Sequence, residues 1–155
     1  MIMIRVIDQP FRISDAIAEF EAQAAGAGAI VTFSGLVRPR AKGEEVSTLH
    51  LQAYSPMTEN GIRDAVNRAK EQWPLTAVQV THRIGNMSPG EAIVFVAAAS
   101  VHRRAAFEAA DFLMDYLKTE AVFWKKEVTP SGVHWIEPRT EDYHDRERWN
   151  EAKGS

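Results

Sequence analysis

The longest amphipathic stretch of the chain runs toward Lys118, with apolar residues at Ala106, Phe107, Ala110, Leu113, Met114 and Leu117. Spacings of three and four predict a helix with one apolar stripe, and Ser100 reads as its N-cap. Immediately before it, Ala92 to Ser100 (AIVFVAAAS) is almost continuously apolar, which predicts a central strand buried on both faces. A second helix is expected over Ile13–Ala24, capped by Ser14 and ended by Gly26 and Gly28, with Ile13, Ile17, Phe20 and Ala24 on one face. A third is expected over Pro56–Gln72, with Met57, Ile62, Ala65, Val66 and Ala69 inward and Trp73-Pro74 as its stop. Alternation predicts strands over Met3–Asp8, Ala29–Val37, Val46–Tyr54 and Ala77–Ile84, with Gly35 marking a bulge or a close approach. The strands at 29–37 and 46–54 are expected to pair as a long hairpin, and 85–90 to be a turn. A last hairpin is expected from Phe123–Val128 and Val133–Ile136 around Thr129-Pro130-Ser131-Gly132.

From Glu137 onward the chain is polar and poor in core residues. The expectation is a single domain over residues 1–140 and a mobile tail over 141–155 that orders on meeting a partner. The element order gives an α+β fold, with helices laid on a mostly antiparallel sheet.

Composition narrows the function. The 155 residues carry a formal charge of −3, which argues against non-specific nucleic-acid binding. No apolar run approaches membrane length, and the start, with Arg5 and Asp8 close behind Met1-Ile2-Met3-Ile4, does not read as a secretory leader. There is no cysteine, so the chain holds no disulfide, thiolate metal site or persulfide. This fits a cytoplasmic protein. Any sulfur in its chemistry must arrive on another molecule.

Two groups of residues could carry chemistry. Lys118 ends the apolar stripe, and Lys125 sits beside Phe123 and Trp124. Both could be ordinary solvated lysines. Aromatic surroundings could instead desolvate an ammonium and make it a useful acid, base or nucleophile. Arg38, His102 and Arg103 are the second group: either a solvated basic loop and helix start, or a pocket for phosphate or carboxylate. Cations at a helix N-terminus oppose its dipole, which suggests an anion among them. Arg40, Lys42, Arg104 and Lys126 read as solvated neighbours. His82 alternates with Val80 and Ile84 and reads as a satisfied sheet histidine. Met57, Met87 and Met114 read as packing residues. No His/Asp/Glu group has metal-ligand spacing, and neither Ser34 nor Ser100 sits in a nucleophile elbow. His102 and Lys118 are sixteen residues apart, roughly 24 Å along one helix. Either the two groups are unrelated or they meet across a two-fold dimer, and the composite site is the favoured expectation.

Several segments, in order, resemble the large, catalytic subunit of molybdopterin synthase. They are Gly28 to Arg38 (GAIVTFSGLVR); Leu51 to Met57 (LQAYSPM); His82 to Gly85 with Pro89 to Glu91; Ala99 to Arg103 with Ala106-Phe107; and Met114 to Lys118 through Phe123 to Glu127. The resemblance covers residues 3–140. It implies a hammerhead-like fold with an additional β-hairpin subdomain, and a homodimer of large subunits within a heterotetramer. Each end would bind a small ubiquitin-like subunit whose C-terminal Gly-Gly thiocarboxylate donates sulfur. The implied reaction converts cyclic pyranopterin monophosphate to molybdopterin by two sulfur transfers, with no permanently bound cofactor or metal. Carried over residue by residue, the catalytic pair is Lys118 and Lys125. Arg38, His102 and Arg103 hold the substrate, Phe33 and Met114 line the pocket, and Arg139 contributes at its edge. Val122, Pro39 and Gln52 depart from the usual pattern and bear on local loop geometry. Two other classes fit parts of the pattern: a non-catalytic module that binds a ubiquitin-like tail, and a different phosphate-binding pterin enzyme.

Overall fold

The computed structural model describes residues 1–121, 123–136 and 140–153. The elements follow in the order β1 (Ile2–Ile7), α1 (Ile13–Gln23), β2 (Ala29–Leu36), β3 (Arg40–Ala41), β4 (Glu44–Glu45), β5 (Thr48–Ala53), α2 (Met57–Gln72), β6 (Leu75–Arg83), β7 (Gly85–Met87), β8 (Ala92–Ser100), α3 (Arg103–Thr119), β9 (Phe123–Thr129), β10 (Gly132–Ile136) and α4 (Thr140–Lys153). This is a mixed α+β fold with mainly antiparallel sheets, as the sequence pattern predicts.

The apolar run forms β8, inside a four-stranded sheet ordered β1-β6-β8-β2. Because strand side chains alternate, β8 feeds two cores. Phe95, Ala97 and Ala99 pack with Ala16, Phe20 and Ala24 at α1. Val94 and Val96 pack with Ile62 and Val66 of α2 and with Phe112 and Leu113 of α3. Phe20 and Phe95 are fully buried, each worth about 1.5–3 kcal/mol of transfer free energy. Small residues line the crossing of β8 with α3: Ala98 meets Ala109 and Ala110.

The second sheet is antiparallel and ordered β10-β9-β5-β7. Its register sets Leu51 and Ile136 beside Lys125, and Gln52 beside Trp124. One face covers a small core of Val37, Leu49, Leu51 and Met87, with Phe123 and Ile136 at its margin. The other carries Trp124 and Trp135 in edge-to-face contact at 6.0 Å, and Lys126 lies 5.7 Å from the Trp135 ring. A polar knot fastens the β9–β10 turn to β4. The Glu44 carboxylate accepts from Ser131 Oγ at 2.7 Å and Thr129 Oγ1 at 3.0 Å, and His134 Nε2 lies 2.9 Å from Ser131 Oγ.

Several expectations are corrected. β2 and β5 do not form a hairpin: β2 pairs with β8, and β5 pairs with β7 and β9. The basic loop between them is a crossover between sheets, closed on itself by the short β3–β4 pair. Part of the 85–90 turn is strand β7. Neither serine caps its helix. The residue before α1 is Arg12, and α3 is preceded by His102, while Ser100 ends β8 and its Oγ donates to Pro74 O at 2.7 Å. The tail is helical over Thr140–Lys153 and is packed on α3. Its low amphipathicity hid this, since the docking rests on few residues. Trp149 Nε1 donates to Asp115 Oδ2 at 2.6 Å, and its ring meets Trp73 at 5.5 Å and Phe112 at 5.7 Å. Arg148 bridges Asp111 at 2.8 Å and Asp115 at 2.9 Å.

The bulge expected at Gly35 is present: the β2–β8 register shifts between Gly35 and Leu36. Gly28 marks the other end of that ladder, where its N–H donates to Ser100 O at 2.9 Å. A Cβ on Gly28 would lie 2.2 Å from Val101 O, a backbone atom that cannot step aside. Gly28→Ala should therefore cost about 2–3 kcal/mol in a urea unfolding titration. Gly61, inside α2, meets nothing closer than 3.7 Å at its Cβ position, so Gly61→Ala should stabilise by about 0.5–1 kcal/mol in the same titration. Equal effects from the two would contradict this account of the packing.

Candidate active site

The return of the chain after β8 decides where the charges fall. β8 runs toward Ser100, the chain turns, and α3 carries it back along the sheet. The two ends of this layer hold different groups. At one, Ala29 pairs with Ser100, and His102 and Arg103 open α3. At the other, Leu36 pairs with Ala92, Arg38 follows β2, and Lys118 closes α3. The nine steps of chain from Ala29 to Arg38 span about 30 Å when extended, and α3 covers a comparable distance. Within one chain, Arg38 and Lys118 thus share an end that His102 and Arg103 do not reach.

Lys125 belongs to the Lys118 end. Strand alternation turns it to the same face as Phe123, away from Trp124 and Lys126. Its residue surface is only partly covered, but the ammonium end is withdrawn from solvent. That desolvation, with help from the charge of Lys118, lowers its pKa to about 8 against a smaller opposing pull from Asp142. Lys125 therefore populates both protonation states near neutral pH, which suits a group that gives and takes protons.

His82, on β6, completes this end. Its ring stacks on Phe123 with centroids 4.1 Å apart, and Nδ1 lies 3.0 Å from Arg83 O. A carbonyl only accepts, so Nδ1 carries the hydrogen and Nε2 is left with its lone pair. Burial first, then the positive charge of Lys125, drives the His82 pKa down to about 3. His82 is thus the satisfied histidine that its sequence position suggests, and it is also a neutral neighbour of the two lysines. Next to it, Arg83 is a structural tie: its guanidinium donates to Glu91 Oε2 at 2.9 Å and to Asn86 O at 3.1 Å.

The remaining candidates differ in how free they are. Arg38, His102, Arg103 and Lys118 are exposed and make no ion pair among the described residues. The first turn of α3 also contains no acid. Cations left without internal partners, two of them beside free helix N–H groups, are suited to an anion from outside. By contrast Arg40 donates to Gly43 O at 2.5 Å, and Lys126 lies over the Trp135 ring. Phe33 stands exposed on β2, whereas Met114 is partly buried against the α2–α3 core. Arg139 and Val122 lie outside the described residues. Among the described residues no cluster of three or more His, Asp or Glu could hold a metal ion. The pattern of the sequence did not single out Asp142. It lies in a polar stretch with no core period, and only the fold of α4 brings it toward the lysines.

Fold and charge together define an α+β chain with exposed cationic side chains at both ends of its main sheet. The chain belongs to the MoaE protein family, whose model matches residues 6–120. The molybdopterin synthase catalytic subunit of Escherichia coli is 50% identical over 122 residues, covering 79% of this chain and 81% of the relative. Among solved structures, the molybdopterin biosynthesis MoaE protein from Burkholderia ambifaria superposes with a TM-score of 0.81 at 37% identity, over 97% of this chain and 99% of that one. A chain from the Helicobacter pylori protein–protein complex of subunits 1 and 2 of molybdopterin-converting factor shares the fold at a TM-score of 0.74 and 17% identity, over 88% of this chain and 91% of that one.

The low pKa of His82 has a stability consequence. Between about pH 3 and its ordinary value near 6.5, the unfolded chain binds a proton at His82 that the folded chain refuses. Its contribution to stability is thus intact above pH 6.5 and is lost as the pH falls toward 3. The unfolding free energy of His82→Gln should fall less steeply across this window than that of the wild type. Parallel slopes in urea titrations at pH 6.5, 5.5 and 4.5 would argue that His82 is not held neutral.

Proposed function

We infer that this chain is the catalytic subunit of a molybdopterin synthase and acts as a sulfurtransferase in molybdenum cofactor biosynthesis. The observation that carries this reading is the family match, together with a desolvated Lys125 beside Lys118 at one end of the sheet. The substrate is cyclic pyranopterin monophosphate, and sulfur comes from the C-terminal thiocarboxylate of a small ubiquitin-like subunit. The absence of cysteine from the chain agrees with sulfur carried by a partner. The assembly of the Helicobacter pylori relative from two subunits supports the same partnership.

In this reading Arg38, His102 and Arg103 neutralise the phosphate and orient the pterin, so that binding energy holds the reacting carbon beside the incoming sulfur. Lys118 lies against the partner's terminus, polarises the thiocarboxylate and stabilises charge that develops as sulfur attacks. Lys125, poised between its two protonation states, moves the proton. Phe33 and Met114 form apolar walls, and Arg139 contributes at the rim. No further cofactor or metal is required by these roles. The absence among the described residues of a helix able to cross a membrane is consistent with work in the cytoplasm.

The separation of the two cationic ends supports a site built from two large subunits. β2 is the last strand of its sheet, and Ile30, Phe33 and Leu36 on it are exposed, as are Val101 and Phe107. Antiparallel contact of two such edges about a two-fold axis sets one subunit's His102 and Arg103 beside the other's Arg38, Lys118 and Lys125. Two complete sites result, and a small subunit at each gives the heterotetramer.

Purified chain mixed with cyclic pyranopterin monophosphate and thiocarboxylated small subunit should yield the dithiolene product. Lys118→Ala should reduce the rate by at least about 100-fold. No product from folded, partner-bound wild type would overturn the assignment. In mixed dimers pairing His102→Ala with Lys118→Ala, one of the two sites is intact, so about half of the wild-type rate should return. Mixed dimers as inactive as either parent variant would rule out the shared site.

A further inference from the structure

The lysine end of the sheet includes an acid contributed by the C-terminal helix. Asp142 stands in the first turn of α4 and is buried, with 9% of its surface exposed. A carboxylate withdrawn from water needs positive charge nearby, because desolvation alone would favour its neutral form. The lysine end of the sheet supplies part of that charge, since Asp142 acts electrostatically on Lys125. Ile136, the last residue of β10, is the cross-strand neighbour of Lys125, and α4 begins at Thr140 shortly after it. The far part of α4 is fixed to α3 through Trp149 and Arg148, and Arg146 pairs with Glu120 just beyond Lys118. Held at both points, the first turn of α4 is confined to the region where β9 and the end of α3 meet.

The charged and titratable groups facing Lys125 can be taken element by element. α3 contributes Lys118, which disfavours a second ammonium. β6 contributes His82, which is neutral. β5 and β10 place Leu51 and Ile136 beside it, which offer no charge. α4 contributes Asp142, the acid whose field favours the ammonium form of Lys125.

Resting on the sulfur-transfer reading above, we propose that Asp142 is a positioning residue of the active site, holding Lys125 as an ammonium ion until the proton is called for. α4 then belongs to the catalytic apparatus, as the element that brings a counter-charge to two neighbouring lysines. Loss of this carboxylate leaves Lys118 and burial unopposed, and Lys125 gives up its proton at lower pH.

The test separates this proposal from the assignment of function. In the full chain labelled with ¹³Cε-lysine, with the Lys125 signal assigned by Lys125→Arg, the wild-type Lys125 resonance should titrate near pH 8. In Asp142→Asn its midpoint should move down by a fraction of a unit, and Asp142→Glu should restore most of the shift. The Trp149 indole signal reports whether α4 is still docked in each variant. With the assembled enzyme, the alkaline limb of the kcat/KM profile should move down with the resonance. An unchanged Lys125 midpoint in Asp142→Asn with α4 docked overturns the proposal. So does an equal shift in Asp142→Glu, which would mark a packing effect rather than one of charge. The titration needs no substrate, so its result stands whether or not the conversion assay gives product.

Discussion

Burial of β8 on both faces is the constraint on which the rest of this structure depends. A strand with Phe95, Ala97 and Ala99 on one side and Val94 and Val96 on the other must be covered twice, by α1 below and by α2 and α3 above. The covering helix α3 must therefore run back along the strand it follows, for about the same length. That single requirement sends the start and the end of α3 to opposite edges of the layer, and with them the two sets of cations. The separation of these cations within one chain is thus a consequence of core packing.

Charge at the lysine end is arranged by withdrawal of water. Two lysines close together would ordinarily be tolerated by solvation. Here Lys118 remains in water, while withdrawal of the Lys125 ammonium from water lowers the Lys125 pKa to about 8. His82 adds polar surface without adding charge, because its Nδ1 hydrogen is committed to a backbone carbonyl and its ring is covered by Phe123. The arrangement brings a solvated lysine, a desolvated lysine and a neutral imidazole to the same end of the sheet.

Much of this was legible in the sequence because it follows from local periodicity. The limits of β8 follow from a continuous apolar run, the stripe of α3 from helical spacing and the bulge at Gly35 from a glycine inside a strand, all of which sequence records directly. Strand partnership is not local. β2 and β5 looked like a hairpin because they are neighbours in sequence, but each finds a better-matched apolar face elsewhere. Arg38, Lys118 and Lys125 were identifiable as charges next to apolar or aromatic stretches. Which of them share an end depends on the return of α3, and no spacing rule encodes that. The helical tail escaped because its docking depends on one tryptophan and a few charges rather than on a stripe. Asp142 escaped with it.

The register of β9 has a consequence of its own. Successive residues there are Phe123, Trp124, Lys125 and Lys126, and alternation sends Lys125 inward and Lys126 onto an indole ring. A slip by a single residue would exchange their faces, giving a chain of identical composition with a solvated lysine outside and bulky indole surface in the pocket. The polar knot of Glu44, Thr129, Ser131 and His134 closes the turn that follows this strand and so opposes such a slip. Which lysine is withdrawn from water is in this sense a matter of counting. It is decided by parity along a strand, and a hydrogen-bonded lock at the far end of a hairpin preserves it.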